Sequence, residues 1–310
     1  MRVPLITSAV VFHDNGFPLR VMRLPNHGAT DRLHRHEFHE LVVITNGRGR
    51  HLTDNDDYVL EAGDVFLLRG QMKHGYADVD RMGLINILFK PRELGLPLAD
   101  LGDIPGYQLL FRIEPRLRQQ ARFRDRLHLT TDKLAEAIRL AVQLEQELRV
   151  RPPGYRFTAR AHLMQLIAYL SRCYASTRRT VDEPLHALGE VLSFIDRNYR
   201  DPITVPQLLK VAHMSQSTLM RTFQRVFQRS PIDYLIRVRV QKACELLADQ
   251  EQRITDVALA CGFNDSNYFT RQFSRVLGRS PRDYRRGLLR AARGHNGAKA
   301  GVRKVGAGKG

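Results

Sequence analysis

Cysteine is scarce in this chain. Cys173, Cys244 and Cys261 stand far apart in apolar-patterned segments, which excludes a disulfide framework and a cysteine-based zinc site. Long apolar runs are missing as well, none reaching the ~18 residues a membrane span requires. Met1 to Gly16 lacks the basic start, apolar core and small-residue cleavage site of a secretory signal, so a cytoplasmic protein with no membrane partner is expected. Acid is in short supply: 49 Lys and Arg face 32 Asp and Glu, a net charge of +17. Disorder throughout is excluded by a hydrophobic fraction of 43%. The 310 residues suit two domains better than one.

The positive charge is unevenly placed. Residues 1–184 carry 27 basic and 22 acidic side chains, residues 185–290 carry 17 and 10, and residues 291–310 carry five basic groups and no acid. The last segment is glycine-rich without apolar periodicity and is expected to be a disordered basic tail. The C-terminal third is therefore the part expected to meet phosphate.

That third contains a repeat. Arg221-Thr-Phe-Gln-Arg-Val-Phe-Gln-Arg-Ser-Pro-Ile-Asp-Tyr234 returns as Arg271-Gln-Phe-Ser-Arg-Val-Leu-Gly-Arg-Ser-Pro-Arg-Asp-Tyr284, with nine identities in fourteen positions. Upstream, Ile203-Thr204 echoes Ile254-Thr255, where a slip of about one residue implies turns of different length. Repeats mark one supersecondary unit used twice. In the second copy Ile254, Val257, Ala258 and Cys261 form one helical face, Gly262 sits where a left-handed residue ends a helix, and Asp265 or Ser266 can cap the next. Phe269, Phe273, Val276 and Leu277 then form a second stripe. The first copy runs likewise through Val205, Leu208, Leu209 and Ala212, a turn at His213 to Ser215, and Leu219, Phe223, Val226 and Phe227. Each copy is a helix-turn-helix. Ser-Pro starts a further helix after each, and Pro231 to about Leu247 reads as a rigid spacer. Gln216, Ser217, Met220 and Arg221, and Ser266, Asn267, Thr270 and Arg271, lie on the outer faces and suit base edges; Arg225 and Arg275 suit phosphates. Two such units on one spacer are expected to enter successive major grooves of duplex DNA.

The pattern Ile254-Thr-Asp-Val-Ala258, Cys261-Gly-Phe263, Asn267-Tyr-Phe269, Arg271-Gln-Phe273, Gly278-Arg-Ser-Pro281 and Tyr284-Arg285 resembles the AraC/XylS family of transcription regulators over about residues 186–287. The resemblance implies a two-unit DNA-binding domain acting on promoter DNA, and an activator that works with RNA polymerase. Leu209 departs from the pattern, standing where the family usually has alanine, as Ala258 does in the second copy.

Residues 1–90 alternate as short β-rich runs (Leu41 to Ile44, His51 to Thr53, Tyr58 to Leu60, Val65 to Leu68, Leu84 to Phe89) separated by turns bearing Gly, Asn or Asp. They predict a sandwich or barrel. Gly28-x5-His34-x-His36-x3-Glu40-x6-Gly47 matches the first cupin motif. The second is eroded: Gly63 and His74 fit, but Arg69, Gln71 and Asp78 replace proline, glycine and asparagine. In catalytic cupins the residues matching His34, His36, Glu40 and His74 hold a divalent metal, so a cupin metalloenzyme fused to a DNA-binding module, a dioxygenase or sugar isomerase, is the rival reading. The preferred reading has no enzyme activity, no metal and no cofactor: His34, His36, Glu40, His74 and Asn86 line a pocket for a small ligand. His39 and His51 are expected at the surface. The stretches around His34 to Leu41, Gly63 to Phe66, His74 to Tyr76, Asn86 to Phe89 and Ile104 to Tyr107 look like the rhamnose-operon regulators, which implies a sugar-like effector.

Between the two lie an arginine-rich stretch (Arg112, Arg116, Arg118, Arg122, Arg124, Arg126), expected to be a solvated surface, and two helical stripes. One is Leu134, Ile138, Ala141, Leu144 and Leu148; the other is Leu163, Leu166, Ile167, Leu170 and Tyr174. They predict a hairpin that covers the barrel and offers a face to a second subunit. The expected fold is α+β: a cupin-like, jelly-roll β-barrel (1–110), a helical dimerisation region (111–176), a linker (177–185), an all-α double helix-turn-helix domain (186–290) and the tail (291–310). The expected function is a dimeric transcription regulator of a carbohydrate-utilisation operon.

Overall fold

A computed structural model describes residues 3–13, 16–30, 32–54, 56–120, 126–175 and 183–300, and of residues 99, 175 and 291–300 the backbone alone. Two of the arginines in the expected patch, at 122 and 124, and residues 177–182 of the expected linker lie outside the described residues. Two compact units emerge: Met1–Phe194 with Leu209–Gln228, and Ile195–Leu208 with Arg229–Gly310.

In the first unit, β1 (Leu5–Ile6) and α1 (Ser8–Val11) precede β2 (Leu19–Leu24), β3 (Arg35–His36), β4 (His39–Thr53), β5 (Asp57–Glu61), β6 (Asp64–Leu68) and β7 (His74–Phe89). Short helices α2 (Pro91–Leu94) and α3 (Pro105–Tyr107), a π-helical stretch (Gln108–Ile113) and α4 (Glu114–Gln120) lead to β8 (Leu127–His128). The main sheet runs β2-β7-β4-β6-β8, with β5 also on β4, and β1 pairs β3 separately. All pairings of the main sheet are antiparallel.

The fifteen-residue β4 is the spine: its first half bonds β6, its second half bonds β5, and its whole length bonds β7. Register shifts between Ile44 and Arg50 let one strand bend and serve both halves. The sequence broke this strand into Leu41 to Ile44 and His51 to Thr53, because Asn46-Gly47 is turn chemistry. The ladder instead continues through it as a bulge. Val42, Ile44, Tyr58, Leu60, Phe66, Leu68, Met72, Tyr76, Met82 and Leu84 fill one core inside the curled sheet.

Helices α5 (Thr131–Val150) and α6 (Tyr155–Ala175) form the expected hairpin. Helix α5 packs on β2 and β7, and α6 on α5. The α5 stripe differs from the sequence reading. Ala137, Leu140, Ala141 and Leu144 are buried, while Leu134, Ile138 and Leu148 are only half-buried. Small Ala137 permits close approach on one side, so the larger residues fall to the flank of the contact.

Then come α7 (Glu183–Asn198), α8 (Val205–Ala212), α9 (Gln216–Phe227), α10 (Pro231–Leu246), α11 (Ile254–Ala260), α12 (Ser266–Leu277) and α13 (Pro281–Ala300). The second unit has its own core, built from Ile236, Val240, Ala243, Leu247, Val257, Ala258, Cys261, Phe263, Phe269 and Phe273. Ser230 and Ser280 begin α10 and α13, each hydroxyl accepting from the N–H three residues on at 3.1 Å. The glycine-bearing tail starts as a continuation of α13 to Ala300, and residues 301–310 lie outside the described residues. Among the described residues no helix is long and apolar enough to cross a membrane.

Candidate functional sites

An antiparallel backbone bridge joins His34 to His74, bringing the first histidine beside β7. Their rings lie 4.2 Å apart and His36 is 5.1 Å from His74. Glu40, at the start of β4 and 4% exposed, turns its Oε2 to His36 Nε2 at 3.0 Å and to His74 Nε2 at 3.5 Å. The opposite nitrogens are committed: His36 Nδ1 lies 2.8 Å from the Phe38 carbonyl and His74 Nδ1 3.1 Å from that of Met72. A carbonyl only accepts, so both Nδ1 atoms donate and both Nε2 atoms point at the carboxylate. Burial raises the Glu40 carboxyl, but His36 and His74 outweigh it and hold it well below the usual carboxylate range. Burial, helped by His74, pushes His34 down to about 4, and burial with Arg69 does the same to His39.

His34, Glu40 and His74 place one donor atom each within 4.8 Å of one another, and the carbonyl-anchored imidazole of His74 has the orientation of a metal ligand. The donor set therefore fits a divalent cation. Glu61, Asp64 and His128 converge similarly, but Arg126 Nε already sits 2.6 Å from Asp64. Asn86 lies on the barrel-facing side of β7, paired with Val42, and its buried Oδ1 has no hydrogen-bond partner among the described residues.

Helix α4 packs against β6 of the barrel. Arg118, 2% exposed, donates to Tyr58 Oη at 3.0 Å and to Glu114 Oε2 at 3.4 Å, and its guanidinium covers Phe66 at 5.5 Å. Glu114 in turn accepts from Tyr174 Oη. A cavity of about 240 Å³ opens beside it, lined by Thr53, Asp54, Gln71, Met72, Lys73, Arg118 and Gln119. Arg116, two residues from Arg118, places its guanidinium 5.0 Å from the Phe227 ring of α9, so α4 touches the barrel with one face and α9 with another.

On α9, Gln216, Ser217, Arg221 and Arg225 are exposed and Met220 is half-buried. Ser215 caps the helix, accepting from Thr218 N–H at 3.3 Å. On α12, Asn267, Thr270, Arg271 and Arg275 are exposed and Ser266 is half-buried. Asp265 is the cap, accepting from Tyr268 N–H at 2.6 Å. Helix α11 enters α12 through Gly262, whose φ of +82° is left-handed and whose absent Cβ would lie 2.6 Å from the Arg200 carbonyl. In the first copy His213 takes the left-handed position at φ +50°. The turn from there to the cap is one residue shorter, which aligns Val205 with Ile254 and accounts for the slip in the repeat. Ile203, which the sequence had set against Ile254, precedes α8.

Residues 21–188, more than half the chain, match the family described as the AraC-like ligand binding domain. The chain belongs to the AraC family. Residues 208–287 match the helix-turn-helix domain. A relative from Escherichia coli O1:K1, the HTH-type transcriptional activator RhaS, is 28% identical over 254 residues, which cover 82% of this chain and 87% of that protein. Among solved structures, a probable AraC family transcriptional regulator from Rhodopseudomonas palustris is 30% identical over 33% of this chain and 96% of its own, with a TM-score of 0.31. ToxT from Vibrio cholerae is 12% identical over 86% and 97%, with a TM-score of 0.33. As an AraC-family protein, this chain is a DNA-binding transcription regulator with a ligand-binding domain, not an enzyme.

The barrel brings His34, His36, Glu40 and His74 together, and Asn86 faces the same interior. It also buries a histidine that the sequence placed at the surface. His51 is fully buried, 5.9 Å from His74 and 5.4 Å from Tyr76 by ring centres, and burial first of all pushes it well below its usual range. Neither of its nitrogens, nor Tyr76 Oη, has a hydrogen-bond partner among the described residues. The register shifts between Ile44 and Arg50 hid this from the sequence; in the sheet His51 pairs Tyr58 on β5 and Tyr76 on β7. His39 is half-buried against Phe89. Arg118 also departs from the expected solvated patch, and its spacing of four from Glu114 on one helix was the available clue. Arg275, read as a free phosphate ligand, is engaged with Asp233 at 2.6 Å.

Proposed function

We propose that this chain activates a carbohydrate-utilisation operon in response to a sugar-like effector, held by His34, His36, Glu40, His74 and Asn86. The observation that carries the reading is a set of buried polar atoms inside the barrel, Asn86 Oδ1, both ring nitrogens of His51 and Tyr76 Oη, with no hydrogen-bond partner among the described residues. Buried polar groups require partners, and vicinal hydroxyls supply both donors and acceptors. The name of the relative RhaS supports activation. On promoter DNA, Gln216, Ser217, Met220, Arg221, Ser266, Asn267, Thr270 and Arg271 read base edges and Arg225 and Arg275 meet phosphate. RNA polymerase is the partner of the DNA-bound form. The active form is a two-fold dimer through the α5–α6 hairpin, a role supported by half-buried Leu134, Ile138 and Leu148 and by Phe157, 78% exposed. The functional division is barrel 1–110, dimerisation region 111–176, linker 177–185, DNA-binding domain 186–290 and tail 291–310.

Helix α4 carries the signal. A ligand that displaces Arg118 from Tyr58 shifts α4, and with it the hold of Arg116 on Phe227. The ligand acts through its different affinity for the two arrangements. Thermal unfolding of the full chain with L-rhamnose, other deoxy-sugars and uronates tests the effector. One of them raises the midpoint, and His36→Ala and Asn86→Ala abolish the rise. No response to any sugar removes the effector class. Arg116→Ala keeps the stabilisation but loses the effect of the sugar on DNA affinity.

The convergence of three donor atoms, with the His74 imidazole anchored on a carbonyl, favours a second reading of the same cluster, in which His34, Glu40 and His74 hold a divalent cation that ligates the hydroxyls. Elemental analysis of purified protein, with His74→Ala as control, separates the two.

A further inference from the structure

Within the second unit, three guanidinium groups converge on one carboxylate. Arg275 Nη2, from α12, donates to Asp233 Oδ1 at 2.6 Å. Arg237 Nε, one turn along α10, donates to Oδ2 at 3.1 Å, and Arg229 Nε lies 3.8 Å from the same oxygen. Asp233 belongs to the Ser-Pro-x-Asp motif of the first repeat, yet it grips the recognition helix of the second. The equivalent aspartate of the second repeat, Asp283, stays local, bonded to Ser280 and Arg286 of its own motif and helix. The cross-helix pair is thus not a by-product of the motif. Burial raises the Asp233 carboxyl, but Arg275 and Arg237 outweigh it and keep it below its usual range. A carboxylate among three guanidiniums offers them what a backbone phosphate offers, two anionic oxygens that accept paired N–H groups.

We propose that Asp233 is a specificity-determining positioning residue: it holds Arg275 and Arg237 as an internal stand-in for DNA phosphate and releases them only when α12 is seated on its sequence. Non-specific binding is driven by phosphate neutralisation and counterion release. An arginine already paired with a carboxylate adds nothing to that term until the pair exchanges. Exchange of one oxyanion for another gains little by itself, so base contacts along α12 decide whether it happens. Asp233 therefore lowers affinity for random DNA more than for the correct site. The inference rests on α12 facing DNA, which salt-dependent binding that weakens in Arg271→Ala reports separately.

The test is titration of the full chain with a random-sequence duplex over a series of salt concentrations. Asp233→Asn preserves the backbone N–H that Ser230 accepts, so the start of α10 is retained. It should bind random DNA several-fold more tightly, and the slope of log K against log salt should steepen by about one. Asp233→Glu should return both to wild-type values, and Asp233→Asn with Arg275→Ala should lose the gain. Asp283→Asn makes the same change in net charge and should leave the slope unaltered. Weaker binding by Asp233→Asn at an unchanged unfolding midpoint, an unaltered slope, or an equal effect from Asp283→Asn would each overturn the proposal. Should Asp233→Asn prove unstable, Arg275→Lys supplies the second arm. Arg275 reaches Asp233 through Nη2 while its Nε is steadied by Gln272, a second anchor that a lysine lacks, so the variant's random-DNA slope should also steepen, and a slope unchanged or shallower would overturn the idea.

Discussion

Arg271 and Arg275 sit one turn apart on α12 and yet have different environments. The Arg271 guanidinium lies 6.0 Å from the Tyr268 ring, whereas Arg275 is tied to Asp233 and Gln272. A base-reading arginine contributes to one sequence, and a phosphate-binding one to all. Arg271→Ala should therefore lose about 1–3 kcal/mol on cognate DNA and relax specificity, and Arg225→Ala should weaken cognate and scrambled duplexes alike. Arg275→Ala, whose guanidinium Asp233 holds on random DNA, weakens the cognate duplex and hardly alters the scrambled one. Equal losses for Arg271→Ala on both duplexes refute its role. In the barrel, His39 is kept neutral by burial, its pKa lowered from 6.5 to about 4. The folded form takes up this proton less readily than the unfolded form. The stability it contributes is therefore complete above pH 6.5 and lost as pH falls towards 4. Thermal unfolding at descending pH should show a loss of about 1–2 kcal/mol through that window that His39→Gln diminishes; a flat wild-type profile contradicts it. The metal-like spacing of His34, His36, Glu40 and His74 was legible as a motif. The burial of His51 was not, because a lone polar residue at a turn-rich strand end carries no mark of which face it takes.

Gly262 shows how one element depends on backbone chemistry. At φ +82° with the Arg200 carbonyl 2.6 Å from the missing Cβ, alanine meets both left-handed strain and a collision with a neighbouring backbone. Gly262→Ala should cost about 2–4 kcal/mol, read as a lower unfolding midpoint together with weaker DNA binding. Stability equal to wild type would show that the turn can rearrange. The helices of both copies could be read from apolar spacing and caps, as Ser215, Ser230, Asp265 and Ser280 demonstrate. Eroded positions of the second cupin motif keep the backbone that the motif residues prefer: Gln71 has φ +75° and Asp78 φ +47°. Substitution there hid the pattern while the fold retained it. The length of β4 was not legible, since a bulge and a turn use the same residue types. Nor was the α5 stripe, because two adjacent helical faces, one with Leu140 and one with Ile138, are both apolar.

For the whole molecule, dimerisation and DNA binding are coupled in the proposed reading. Phe157→Asp places a charge on the exposed apolar side of α6, and sedimentation should shift towards monomer while the unfolding midpoint hardly moves. A dimer that persists unchanged would move the interface away from the hairpin. Loss of the dimer should weaken DNA carrying two half-sites far more than DNA carrying one, because the second contact ceases to be intramolecular. The most direct measurement of all is the affinity of the purified chain for the DNA upstream of its own coding sequence against a shuffled duplex of equal composition, each with and without the sugar panel. Tighter binding to the upstream duplex, increased by one sugar and by no other, is the predicted result. Equal affinity for both duplexes under every condition would contradict a sequence-reading, sugar-controlled regulator.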